Sequence, residues 1–180
     1  MIIGLGGKAG SGKSTAAAYL AGKGFEELAF ADPLKEGAGI LFGFNPEQTH
    51  GAFKDRLDHR IGRTPREVLQ SLGDFTRVIW PEAFISAVRR QLHRAMGSVV
   101  ISDVRFLNEA RALELLGAIL IRIERQGAGA VGGIESHASE IELDAWPGWS
   151  ARIDNNGTKS DLYRQIDEVL TYFPNTGDQD

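Results

Sequence analysis

Gly7-Lys8-Ala9-Gly10-Ser11-Gly12-Lys13-Ser14, followed by Thr15, fits the spacing G-x-x-x-x-G-K-[ST]. The chemistry of that spacing is anion binding. Glycines let the backbone curl until successive N–H groups point inward and cradle phosphate oxygens. Lys13 then reaches the terminal phosphates of ATP, the Ser14 hydroxyl offers a ligand to Mg²⁺, and the helix that begins here turns its positive end on the anion. An apolar strand-like run precedes the loop and Ala16-Ala17-Ala18-Tyr19-Leu20-Ala21 follows it, which is the setting the motif needs. Lys8, Ala9, Gly10, Ser11, Gly12, Lys13, Ser14 and Thr15 are the expected triphosphate contacts, with Lys13 the catalytic cation.

Transfer between two phosphates gathers many negative oxygens, so its catalysis is largely positioning and charge neutralisation. Two carboxylates are candidates for holding Mg²⁺ or orienting an attacking oxygen: Asp32, with Lys35 one turn on, and Asp103, with the cation Arg105 beyond it. A monophosphate acceptor needs its own clamp, and the planar fork of arginine suits it. Arg63, Arg66 and Arg105 are the candidates, and the amide of Gln70 is placed to read a base edge. Arg122 and Arg125 border a glycine-rich stretch, Gln126–Gly133, and Glu140 closes the run Ser136-His137-Ala138-Ser139-Glu140. That region, about 125–140, reads as a lid that excludes water and brings an arginine to ATP, with Glu140 on the substrate side. Asn156, in the turn Asp154-Asn155-Asn156-Gly157-Thr158, is a candidate contact for the adenine.

Stepping these residues onto one rim requires alternating strands and helices. The pattern supplies them, which is the signature of an α/β fold with a mostly parallel sheet. Strands are expected at 1–5, 25–30, 98–102, 118–124 and 151–154. In such a sheet ligands bind beyond the carboxyl ends of the strands, where the glycine loop, Asp32 and Asp103 all fall. Thr64-Pro65-Arg66-Glu67 is a capping box with its proline. Behind it Val68, Leu72, Phe75 and Ile79 recur at helical spacing as one apolar face, while Arg66, Gln70 and Arg77 cluster within about 40° on the other. Gly117 ends a helix over 108–116, and Thr158 caps a last helix that stops at Pro174.

Composition narrows the partners. The chain has 180 residues, 42% apolar and 24% charged, with a net charge of −4. That is ordinary for one folded domain and speaks against a nucleic-acid surface, which is usually basic. There is no cysteine for a disulfide or thiolate site, and the four histidines lack ligand spacing. No apolar run reaches the ~18 residues of a membrane span, and the start lacks a signal-peptide pattern, so a cytoplasmic enzyme is expected. Residues 175–180 read as a polar tail.

With these pieces in place the chain resembles deoxynucleoside monophosphate kinases of the phage type, within the P-loop nucleoside monophosphate kinase group. The likeness covers almost the whole chain. It rests on the opening I-I-G-L-G-G-K-A-G-S-G-K-S-T, on F-A-D-P-L-K at 30–35 and on G-R-T-P-R-E-V-L-Q-S-L-G at 62–73. V-V-I-S-D-V-R-F-L-N-E-A at 99–110, S-H-A-S-E at 136–140 and I-D-N-N-G-T at 153–158 complete it. The resemblance implies transfer of the ATP γ-phosphoryl group to a deoxynucleoside 5′-monophosphate. It implies a three-layer sandwich around a five-stranded parallel sheet, in a single domain over 1–174 with mobile substrate-binding helices at about 34–96. The finish of the chain also resembles dephospho-coenzyme A kinase, which the 62–73 segment fits poorly. A third alternative, an NTP-driven switch or motor, wants an N-K-x-D motif or a strand ending Asp-Glu; the chain has Asn155-Asn156-Gly157 and Ser102-Asp103-Val104 instead. A homodimer is compatible with the sequence, which does not fix the base preferred.

Overall fold

β1 (Ile2–Gly6) is the central strand of a five-stranded parallel sheet ordered β2-β3-β1-β4-β5 in the computed structural model, which describes residues 1–129 and 137–174. The other strands are β2 (Glu26–Leu28), β3 (Val99–Val104), β4 (Ile119–Glu124) and β5 (Ala151–Asp154). Every pair is parallel, as the alternation of strands and helices predicts. The chain forms two compact units: Met1–Ala29 with Arg90–Asp180, and Phe30–Arg89.

The first unit holds the sheet. Strand side chains alternate between faces, so Ile3 and Leu5 of β1 share a face with Ile119, Ile121 and Ile123 of β4. Against it pack Ala16, Ala17 and Leu20 of α1 (Lys13–Gly22) and Leu162 and Ile166 of α8 (Lys159–Tyr172), all buried. The other face carries Gly4, Val104 and Leu120. A Cβ on Gly4 would press on both of the latter and on Leu113 of α6 (Leu107–Glu114), so glycine lets that helix sit close on the central strand. Helices on both faces make this unit the expected three-layer α/β sandwich. The α8 cap follows the sequence: Asp161 N–H donates to Thr158 Oγ1 at 3.2 Å and Thr158 N–H to Asp161 Oδ2 at 2.9 Å.

The second unit is helical. It contains α2 (Asp32–Phe42), α3 (Pro46–Thr49), a 3-10 turn at Ala52–Asp55 and α4 (Pro65–Ile79). α5 (Ala83–Leu92) carries the chain back to the sheet. Ala38, Phe44 and Val68 form its small core, with Phe42, Ile61, Leu69 and Leu72 packed around them. The capping box of α4 forms as expected: Glu67 N–H donates to Thr64 Oγ1, and Thr64 N–H to Glu67 Oε2 at 2.7 Å. The expected apolar face holds only in its first half. Val68 is buried, but Phe75 is 63% and Ile79 69% exposed. α4, at 15 residues or about 22 Å, outruns the 11-residue α2 it packs on, about 16 Å long. α7 (Ala138–Ile141) is a short helix the sequence did not announce. The expected tail at 175–180 and residues 130–136 of the expected lid lie outside the described residues. Among the described residues no helix is long and apolar enough to cross a membrane.

Candidate active site

The glycine loop leaves β1 at its carboxyl end, beside the point where the sheet order reverses between β1 and β3. Gly7, Gly10 and Gly12 all have positive φ, at 137°, 75° and 108°. Those angles are open to glycine and strained for other residues, so the curl expected of the motif is built into the sequence. A Cβ on Gly7 would collide with the Ile123 carbonyl of β4. Lys13, almost fully buried, lies back across the loop, and its Nζ donates to the carbonyls of Gly7 at 2.6 Å and Lys8 at 2.8 Å. The Ser11 hydroxyl is buried, with no hydrogen-bond partner among the described residues. Ser14, one residue into α1, is exposed. Three left-handed glycines, a buried orphan hydroxyl and a lysine at the foot of a helix are a donor set that fits a triphosphate.

β3 runs two residues past the expected end at Ser102 and includes Asp103. Its register with β1 shifts between Gly4 and Gly6, which face Ile101 and Val104, so β3 carries an extra residue there. A bulge of this kind re-aims the side chains beside it. Beyond it the backbone is fixed from below. Glu109, 1% exposed, accepts from the N–H groups of Arg105 at 3.0 Å and Phe106 at 3.1 Å. Leu107 N–H donates to Glu142. The orphan donors at the start of α6 thus find carboxylates, and Arg105 is held at the mouth of the loop. Gly7, Lys8, Arg105, Arg122, Ser139 and Asp144 line one narrow cleft.

Arg122, expected in the strand that leads to the lid, stands inside β4 on the face opposite the Ile121–Ile123 core. There it is nearly buried. Its Nε donates to Glu124 at 3.0 Å, Nη1 to the Leu143 carbonyl and Nη2 to Asp144, both at 2.7 Å. The ring of Trp149 lies 5.8 Å away and covers Gly6, where a Cβ would strike it. Asp144 also takes Lys8 on its other oxygen, at 3.2 Å. Burial pushes the Asp144 carboxyl up, but Arg122 and Lys8 outweigh it and hold the group below its ordinary value. One carboxylate therefore ties the glycine loop to β4. Arg125 follows the strand and is exposed, and its carbonyl accepts from Ala128 N–H. The loop continues to Gly129, whose N–H donates to the Ala9 carbonyl at 2.9 Å. The Glu140 side chain lies outside the described residues.

The turn after β5 holds two asparagines in different settings. Asn156 accepts from Gln126 N–H at 2.8 Å and donates to Asp154 at 2.5 Å. Its neighbour Asn155 is the buried one, and its Nδ2 donates to the Ser11 carbonyl at 2.7 Å.

The remaining candidates belong to the second unit. Asp32 opens α2, with Lys35 at 3.2 Å and His50 Nε2 at 3.9 Å. Burial, then the nearby Lys35 charge, lowers the His50 pKa. Arg66 grips Asp55 through both carboxylate oxygens, at 2.5 and 3.0 Å. Arg63 pairs through its backbone with Asp58 in a short antiparallel bridge, and its side chain is exposed. Gln70 is half-buried one turn beyond Arg66. Arg77, placed on the same face by spacing, instead stacks its guanidinium 4.5 Å over Phe84.

No protein-family profile matches the chain. It is 38% identical, over 92% of its length and 94% of the relative's, to the "Putative deoxynucleotide monophosphate kinase" of Acanthamoeba polyphaga mimivirus. The chain belongs to the deoxynucleotide monophosphate kinase family. The fold agrees with the crystal structure of TT1252 from Thermus thermophilus, which superposes with a TM-score of 0.59 at 20% identity, covering 97% of this chain and 98% of that one. A "putative kinase" from Chloroflexus aurantiacus superposes at 0.52 with 14% identity, over 95% and 96%. In this kinase the residues that sequence reasoning passed over are Glu109, Asp144, Trp149 and Asn155. Glu109 had a local signal, as the third residue after a helix start. The other three act across the sheet, and no spacing in the sequence marks them.

Proposed function

We propose that this kinase transfers the γ-phosphoryl group of ATP to a deoxynucleoside 5′-monophosphate, giving the diphosphate and ADP. The observation that carries the reading is the glycine loop: left-handed Gly7, Gly10 and Gly12, the orphan Ser11 hydroxyl and Lys13 at the start of α1. In the proposed reaction an oxygen of the acceptor phosphate attacks Pγ while the bond from Pγ to the ADP oxygen breaks. Lys8, Ala9, Gly10, Ser11, Gly12, Lys13, Ser14 and Thr15 hold the donor, with Lys13 leaving the Gly7 and Lys8 carbonyls for the phosphates. Arg105, fixed through Glu109, faces the charge that spreads over the transferring oxygens. Ser14 and Asp103 are the proposed ligands of Mg²⁺, which when bound neutralises phosphate charge. Mg²⁺ dehydrates reluctantly and is held by one or two protein ligands in such sites, so a pair of protein oxygens would suffice. Asp32 and Lys35 orient the acceptor, Arg63 and Arg66 take its phosphate and Gln70 its base. Glu140 remains on the substrate side, and Arg125 and Asn156 on the donor side. Arg122, which lines the cleft with Gly7 and Lys8 and is tied to the loop through Asp144, stays on the donor side with them.

Purified protein with ATP, Mg²⁺ and a panel of nucleoside and deoxynucleoside monophosphates, plus dephospho-coenzyme A, tests the reading. ADP should form only when a deoxynucleotide is present, and Lys13→Ala should lower turnover at least ~100-fold with an unchanged melting temperature. Equal ADP release with and without acceptors would overturn the kinase chemistry, and turnover with dephospho-coenzyme A alone would move the acceptor.

A further inference from the structure

We infer that Asn155 is a positioning residue of the donor site: its side-chain amide aims the Gly12 N–H of the glycine loop at the triphosphate from behind. The inference rests on the donor site proposed above. The Asn155 amide donates to the Ser11 carbonyl at 2.7 Å, and the bond is buried. A trans peptide is planar, so its C=O and N–H point in opposite directions. Fixing the Ser11 carbonyl on the Asn155 side therefore turns the N–H of Gly12 to the opposite side. Gly12 is the cap residue at the start of α1 and its φ is 108°, so the direction of this peptide is not set by helical hydrogen bonding. The same amide lies against Gly12, where a Cβ would collide with Nδ2. Glycine at position 12 thus answers both to its left-handed angle and to the close approach of Asn155. The brace itself is rigid: Asn155 N–H donates to the Glu124 carbonyl at 2.8 Å, which extends the β4–β5 ladder by one residue. A peptide plane held by the sheet needs no reorganisation when an anion arrives, which is the condition for strong electrostatic stabilisation.

The arrangement makes the effect specific. Without the amide, the buried Ser11 carbonyl loses its partner and the plane can rotate to find another. Donor affinity then suffers, while the acceptor site is untouched.

The test is equilibrium binding of MgATP and of a non-hydrolysable ATP analogue to the full chain, alongside KM for each substrate and thermal melting. Asn155→Ala should weaken both donor ligands about ten-fold, corresponding to about 1.4 kcal/mol. It should leave the acceptor KM within two-fold of wild type. Asn155→Asp keeps the shape but turns an oxygen on the Ser11 carbonyl, so it should weaken the donor more than alanine does at pH 8. If either variant melts like wild type and binds both donor ligands as wild type does, the brace is overturned. A fall in melting temperature with donor affinity retained overturns it as well, since a purely structural contact would give that. Wild-type protein that binds ATP without transferring phosphate would sink the proposed reaction and leave this inference measurable by binding alone.

Discussion

Arg66 holds Asp55 by two hydrogen bonds, and in the proposed reaction that carboxylate competes with the acceptor phosphate for the guanidinium. Asp55 is two-thirds exposed, and a pair so open to water is worth at most about 1 kcal/mol. An incoming phosphate, with more charge and the same bidentate geometry, displaces it cheaply. Asp55→Asn should therefore lower the acceptor KM, by up to about five-fold, because the competitor is weakened. Arg66→Ala should raise it at least ten-fold with the ATP KM unchanged, and initial rates at varied acceptor read both. The sequence made Arg66 visible through its place behind a capped helix start. Asn155 was invisible for the opposite reason: 144 residues separate it from the Ser11 carbonyl it holds, and its neighbour Asn156 looks identical in one dimension.

At the level of the element, α4 shows what periodicity conveys and what it leaves open. Its start was legible because the capping box is local chemistry between residues 64 and 67. Thr64→Ala should cost about 1 kcal/mol in urea unfolding. Its apolar stripe was legible too, but the length of the partner was not. Phe75, Val78, Ile79 and Trp80 run past α2 into solvent, with Val78 82% exposed. Val78→Lys should shift stability by no more than about 0.5 kcal/mol in the same experiment. β3 illustrates the converse. Ser102 and Asp103 are polar and poor strand formers, so the pattern stops at residue 102. Pairing with β1 carries the strand through to Val104 and introduces the bulge beside the glycine loop.

Across the whole molecule, alternating patterns foretold a five-stranded parallel sheet but not its order. The order depends on the chain passing from β3 through α6 to the far side of β1, which no single segment encodes. Charge pairing spans both units in the same distributed way. Asp55 is held below its ordinary pKa by Arg66, Glu67 by the Thr64 N–H, Asp161 by Thr158, and Asp167 by Tyr19 and Lys23. Asp58, gripped by Arg60, falls to about 2. A carboxyl with a depressed folded pKa stabilises the fold above its unfolded value and loses that contribution as pH falls through the folded one. Unfolding midpoints in urea should therefore fall from about pH 4.5 downward and continue falling toward pH 2.

The cover that Trp149 places on Gly6 has an optical consequence. Trp146 and Trp149 meet edge to face with centroids 4.9 Å apart, so their indole transitions couple and give the molecule a near-ultraviolet dichroic signature rooted at the base of the glycine loop. The third indole, Trp80, belongs to the helical unit and is half exposed, so it emits to the red of a shielded indole. Near-ultraviolet dichroism of the Trp146–Trp149 pair therefore reports on the sheet beside the glycine loop, and Trp80 emission on the helical unit.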